Sequence, residues 1–354
     1  MAKEYEIEVS GHPSIYDGTK RNLKIYFNEP NNGINKKTGI VLFIPGFGAN
    51  SKSKVYKKMR NNFADEYNLV TVQCDYFGNK YMQLPQKAKI NNDEKIYTYS
   101  EIEKMLLNNN NYKIKAKAVL SEEYSNFNDM GIMQAIDNIS AVLAVINILK
   151  DNNLKFNKGK IMVYGHSHGG YLAYLVNAFA PNLISLIIDN SAWILPEYLN
   201  NSRYLTQKIK NSLLQIEFDY MAKNLDLDHD LYNLNYLYSN FKNKSKIISF
   251  HGIKDSLVSF KEKQKLSSKV KNFELNKVTE KNIDHFKFNS TKHGLGADFL
   301  NLFDYTINKD DFFINNDKNI GHSLIQFKTP RSSLIINYTK GLPLVDLNYH
   351  SYNY

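Results

Sequence analysis

The chain has 354 residues, 43% hydrophobic and 23% charged, a balance that supports a packed core and excludes a disordered polymer. Its net charge of +10 is almost all lysine, with only four arginines (Arg21, Arg60, Arg203 and Arg331). Lysines scattered singly among Asn, Ile and Tyr argue against nucleic-acid binding, which favours clustered arginine. No run approaches the roughly 18 apolar residues of a membrane span, and the first residues lack a signal-peptide core. The lone Cys74 excludes an intramolecular disulfide, so a cytoplasmic protein is expected.

In chain order, residues 5–9 (YEIEV) and 23–27 (LKIYF) alternate polar and apolar, which predicts half-buried edge strands. Residues 40–45 (IVLFIP) are continuously apolar, as in a buried parallel strand. A lysine-rich helix is expected at 52–66 and a strand at 69–75 (LVTVQCD). Residues 79–127, rich in Asn, Lys and Tyr, read as an insertion over the sheet. Residues 130–149 carry apolar side chains at helical spacing, after candidate caps at Asn128 and Asp129. There follow a strand (IMVYG), a helix at 170–180, a strand (LISLIID), a helical insertion at about 195–243 and a strand (KIISFHG). A helix near 259–271 and a strand at 285–290 (HFKFNS) complete a domain over 1–305. Strands alternating with helices predict an α/β fold with a mostly parallel central sheet covered on both faces. Residues 306–354 break this rhythm and read as a β-rich tail packed on the same domain, with two strands meeting at Pro330-Arg331. The insertions at 79–127 and 195–243 are expected to be helical and to form a cap.

Gly165-His166-Ser167-His168-Gly169 stands between a strand and a helix. That setting suits a nucleophile elbow, in which a serine occupies a strained turn and small neighbours avoid collision across it. The backbone N–H of His168, at the start of the helix, would be one donor of an oxyanion hole. His166 and His168 flank Ser167 but cannot turn back to deprotonate it. They read as packing or pocket residues, since a His-x-His metal pair has no third ligand nearby.

On this motif and its context the chain resembles the α/β-hydrolase superfamily over roughly residues 20–305. The resemblance implies an α/β-hydrolase fold and the order nucleophile, acid, histidine. In that order Asp255, in "HGIKDSLV", is the acid, with Asp189 the alternative. His293, in "STKHGLGAD", is the base, with His285 and His322 as alternatives. The loop "IPGFGANS" resembles the family's His-Gly-x segment with Pro45 in the histidine's place, which makes the Phe47 N–H the second oxyanion donor and Gly48 the next choice. Asp75 reads as a loop-fixing residue. "KHGLGAD" and the β-rich tail are also similar to a poorly characterised bacterial hydrolase-like family associated with surface-glycan gene clusters.

The resemblance implies a serine hydrolase acting on an ester, without metal or other cofactor, on a small-molecule or glycan ester. Tyrosines in the insertions, including Tyr81, Tyr97, Tyr198, Tyr220 and Tyr236, suit stacking on an acylated sugar. An acyltransferase on the same triad and a non-catalytic member of the fold are the alternatives.

Overall fold

The chain's structure is a computed structural model that describes residues 1–308 and 318–350. At one edge of the central sheet β1 (Lys3–Ser10) and β2 (Asn22–Glu29) form an antiparallel ribbon, and β2 joins β4 (Leu69–Cys74), also antiparallel. From β4 the sheet continues parallel through β3 (Gly39–Ile44), β8 (Ile161–His166), β9 (Leu186–Asn190), β12 (Lys246–Gly252) and β13 (Phe273–Val278). These eight strands form the mostly parallel sheet of an α/β-hydrolase fold.

The continuous apolar runs reflect burial on both faces. In β3, Ile40, Leu42 and Ile44 pack on the side of α3 (Ile132–Asp151), α4 (His168–Phe179) and α6 (Phe260–Lys269). Val41 and Phe43 pack on the other side, with Tyr56, Met59 and Phe63 of α1 (Lys54–Tyr67) and Leu302 and Phe303 of α7 (Phe299–Ile307). By length and composition α3 could cross a membrane, but its apolar window is 78% buried inside the fold, as for a core helix. Its expected cap Asp129 accepts the N–H groups of Gly131 (3.2 Å) and Met133 (2.7 Å).

The two insertions depart from the helical expectation. The first holds β5 (Lys87–Ile90), β6 (Ile96–Thr98), α2 (Tyr99–Asn108) and β7 (Lys113–Ala118). The second holds a hairpin of β10 (Arg203–Ile209) and β11 (Ser212–Phe218), then 3-10 turns and the single turn α5 (Leu234–Leu237). β11 pairs parallel with β7, from Leu213 opposite Lys113 to Glu217 opposite Lys117, so both insertions build one five-stranded sheet, β10-β11-β7-β5-β6. Neither segment can satisfy its strand edges alone, so the pairing is tertiary.

The strand expected at 285–290 is absent. The Asp284 carboxylate accepts the N–H groups of Phe286, Lys287 and Phe288 and His285 has φ 56°, so a side-chain-bonded turn replaces a ladder. The last strand of the main sheet is instead β13, which ends at Val278.

Three tail strands, β14 (Leu324–Lys328), β15 (Ser332–Asn337) and β16 (Leu344–Tyr349), form an antiparallel sheet. It is tied down by Tyr338, which donates to the Phe179 carbonyl (2.9 Å), and by Phe327, packed on Phe179. Residues 309–317 and 351–354 of the expected tail lie outside the described residues.

Candidate active site

Ser167 stands between β8 and α4 with φ 55° and ψ −118°, a conformation costly for a residue with a side chain. The glycines around it are sterically required. A Cβ on Gly165 would lie 2.4 Å from the Gly169 carbonyl oxygen, and one on Gly169 would lie 1.9 Å from the Ile44 carbonyl oxygen. β3, β8 and α4 therefore approach too closely for any larger side chain.

The other two residues of the expected set arrive on loops. Asp255 follows β12, and its Oδ1 accepts the N–H groups of Leu257 (2.9 Å) and Val258 (3.1 Å). His293 lies on the loop that turns back after β13. That loop is pinned because the Thr291 carbonyl accepts the Lys254 N–H (2.9 Å) and Ser191 Oγ accepts the Gly294 N–H (3.0 Å). Asn190 also donates to the Gly294 carbonyl (3.2 Å).

The structure brings the three together. Ser167 Oγ lies 2.7 Å from His293 Nε2, and His293 Nδ1 lies 2.8 Å from Asp255 Oδ2. With a carboxylate on Nδ1, the proton sits there and Nε2 accepts from the serine hydroxyl. Burial pushes the Asp255 carboxyl up, but the His293 hydrogen bond and charge, with the Leu257 and Val258 N–H groups, outweigh it and hold the carboxyl below its usual range. His251 lies alongside, 3.6 Å from Asp255 Oδ2, with its Nε2 on the Val258 carbonyl (2.8 Å).

The alternatives are engaged elsewhere. Asp189, fully buried, takes bonds from Tyr174 (2.7 Å), Ser249 (2.7 Å), Lys263 (2.8 Å) and the Ala192 N–H (2.6 Å). His285 is exposed, 3.3 Å from Asn289, and His322 accepts the Asn182 N–H at the tail. His168 Nε2 lies 2.6 Å from Gln134 Oε1, and burial lowers its pKa to about 3. Burial likewise lowers that of His166 to about 4. Among the described residues no group of three metal-ligating side chains occurs.

The Phe47 and His168 N–H groups have no hydrogen-bond partner among the described residues, whereas the Gly48 N–H is committed to the Met82 carbonyl (2.8 Å). The Phe47 loop is held close, since a Cβ on Gly46 would sit 3.2 Å from the Ser167 Cβ. Asp75 anchors the same region by accepting from Ser51 Oγ (2.5 Å) and the Tyr26 hydroxyl (3.0 Å). Aromatic rings line the same region: Phe218 at the end of β11 is 5.4 Å from Phe47, and Trp193, in the segment after β9, stands between His168 (5.7 Å) and Tyr198 (5.1 Å). A cavity of about 580 Å³ between Asn50–Lys52 and the first insertion contains none of the three residues.

Residues 79–224 match a family described as a protein of unknown function, DUF2920, a span that includes the elbow and the cap hairpin. No curated protein matches the chain. Solved structures similar to it include Est1E from Butyrivibrio proteoclasticus with ferulic acid bound, at 16% identity and TM-score 0.42, covering 74% of this chain and 87% of that one. A dienelactone hydrolase from Anabaena variabilis is 15% identical at TM-score 0.42, covering 79% and 87%. An esterase from Rhizomucor miehei is 16% identical at TM-score 0.48, covering 86% and 81%.

Several residues of the site carried no local sequence signal. Gln134, Asn190 and Ser191 act through contacts between distant segments, and Lys263 lies on the helix expected near 259–271 with nothing local to mark it as buried.

Proposed function

We propose that the chain is a serine hydrolase that cleaves carboxylic esters through Ser167, His293 and Asp255. The observation that carries this reading is the continuous chain of two short contacts, Ser167 to His293 (2.7 Å) and His293 to Asp255 (2.8 Å), ending on a serine at positive φ. In the reaction, His293 Nε2 takes the hydroxyl proton as Oγ bonds to the ester carbonyl carbon. Asp255 holds the imidazole tautomer and offsets the imidazolium charge. The N–H groups of Phe47 and His168 accommodate the oxyanion. Collapse of the tetrahedral intermediate breaks the bond to the alcohol, which leaves with the proton from His293. Water, deprotonated by the same nitrogen, then releases the acid and restores the serine.

In this reading the two insertions form a cap, and Ser167 is 8% exposed beneath it. Most tyrosines that suggested a sugar substrate are used in packing. Tyr81 donates to the Ser121 carbonyl, Tyr236 to that of Lys328 and Tyr238 to that of Tyr174, so the proposal extends to carboxylic esters and no further.

The test is labelling by a fluorophosphonate and turnover of 4-nitrophenyl esters, for the native protein and Ser167→Ala. The native protein should label and turn over, and Ser167→Ala should do neither, losing several orders of magnitude in rate. Absence of both in folded native protein would favour a non-catalytic fold, and labelling of Ser167→Ala would move the nucleophile.

A further inference from the structure

Three of the four arginines have carboxylate, carbonyl or amide oxygen acceptors. Arg21 pairs with Asp137, Arg331 pairs with Asp226 (2.6 Å), and Arg60 donates to the Ser51 carbonyl (2.8 Å) and Gln73 (2.6 Å). Arg203 differs. It forms no salt bridge with the described residues, and its guanidinium carbon lies 3.5 Å from the Phe47 ring centroid and 5.1 Å from that of Tyr198. It hydrogen-bonds the neutral Tyr220 hydroxyl, whose pKa its charge and that bond draw down against the larger upward effect of burial. Two nearby carboxylates are occupied, and the exposed Glu197, beside Tyr198, forms no salt bridge with Arg203. Asp219 pairs with Lys117 (2.9 Å) and Lys223, and Glu122 accepts the N–H groups of Asn128 and Met221.

Strand alternation aims this side chain. Along β10, Arg203, Leu205 and Gln207 are half-buried, while Tyr204, Thr206 and Lys208 are exposed. Arg203 is in register with buried Phe218, whose ring meets Phe47. The positive charge of Arg203 also lowers the His168 pKa, after the larger effect of burial. The guanidinium thus lies against the ring of Phe47 and within electrostatic reach of His168, the two residues that flank the site with unpaired N–H groups. Stacked on ring faces and bonded to the Tyr220 hydroxyl, it keeps further N–H groups for a ligand, and a planar carboxylate matches a pair of them with two bonds. Holding such a cation half-buried without an anion is unfavourable, and a bound anion would relieve that cost.

We propose that Arg203 recognises an anion and that the preferred ester carries a carboxylate on the part lying against Phe47 and Tyr198. This inference rests on the serine-hydrolase reading above and names a substrate class for it.

The experiment compares matched esters with and without a carboxylate. For the acyl side, 4-nitrophenyl hydrogen glutarate is set against 4-nitrophenyl valerate. For the alcohol side, 4-butyryloxybenzoate is set against phenyl butyrate. The native protein should prefer the carboxylate in one pair by about 10- to 100-fold in kcat/KM, carried mainly by KM. Arg203→Gln should remove that preference and Arg203→Lys should keep part of it. Lys208→Gln, which removes the same charge from the outer face of the same strand, should leave the preference intact. A protein that turns over neutral esters without preference in either pair overturns the anion site while the serine-hydrolase reading stands. So does a preference that survives Arg203→Gln, or one that Lys208→Gln removes equally. Failure to hydrolyse any ester or to label with fluorophosphonate overturns both.

Discussion

At the scale of single residues, the charge state of the histidines matters most. His293 becomes an imidazolium in the proposed reaction, and a second cation beside it would oppose that step. His166, with its ring 6.4 Å from that of His293, is kept neutral by burial, with a pKa of about 4. His168 is kept neutral in the same way, with a pKa of about 3. Both folded values lie below the unfolded value of 6.5, so their contribution to stability is complete above pH 6.5. It falls as pH drops toward 4 and 3, because only the unfolded chain takes up protons in that window. Urea unfolding at about pH 7 and about pH 5 should show a loss of up to about 1.4 kcal/mol per pH unit for each histidine. His168→Gln should be less stable at the higher pH but should lose less on acidification. The carboxylates give a second prediction. Asp255→Asn should lower ester turnover by about 10⁴-fold. Asp189→Asn, assayed at equal folded fraction, should lower it far less, and the reverse ranking would move the acid to Asp189.

At the scale of elements, helix α6 is fastened to β9 by the pair Lys263–Asp189, in which both side chains are fully buried. Lys263→Met leaves a buried carboxylate without its cation and should cost about 3–5 kcal/mol in chemical unfolding. Adding Asp189→Asn should restore part of that loss, since it removes the stranded charge. The elbow gives a sharper case. Gly169→Ala places a Cβ within 1.9 Å of the Ile44 carbonyl oxygen, so β3 and α4 must separate. That variant should fail to label with a fluorophosphonate even where its circular dichroism stays near native.

At the scale of the whole molecule, the tail sheet meets the C-terminal end of α4, through Phe179 and Asn182, while the N-terminal end of α4 carries the elbow. The 12 residues of that helix separate the two by about 18 Å. Phe327, buried between Phe179 and Phe241, is the tail's aromatic anchor. Phe327→Ala should cost about 3–5 kcal/mol by chemical denaturation and leave kcat per folded molecule unchanged. A fall in kcat equal to that of an elbow variant would show that the tail couples to the site.

The sequence by itself determined what is local. Apolar runs marked β3, β4, β8, β9 and β12 because a strand buried on both faces has no polar positions to spare. The elbow was legible because its glycines answer a steric demand within five residues. Asp255 and His293, the acid and base that the resemblance implied in chain order, come together with Ser167 even though the strand placed before His293 is absent. Tertiary structure decided the rest. "HFKFNS" alternates like a strand, yet Asp284 captures three of its backbone N–H groups. The cap hairpin turns at Lys210-Asn211 with Lys210 at φ 51° and no glycine, so its turn signal was weak, and it read as helix. Its partner strand β7 lies far back in the chain, and only the folded molecule supplies the edge that β11 completes. Arg203 shows the same division. Its charge is in the sequence, but the strand parity that turns it inward, the rings beneath it and the absence of a carboxylate partner among the described residues arise only when the fold sets β10 against Phe47 and Tyr198.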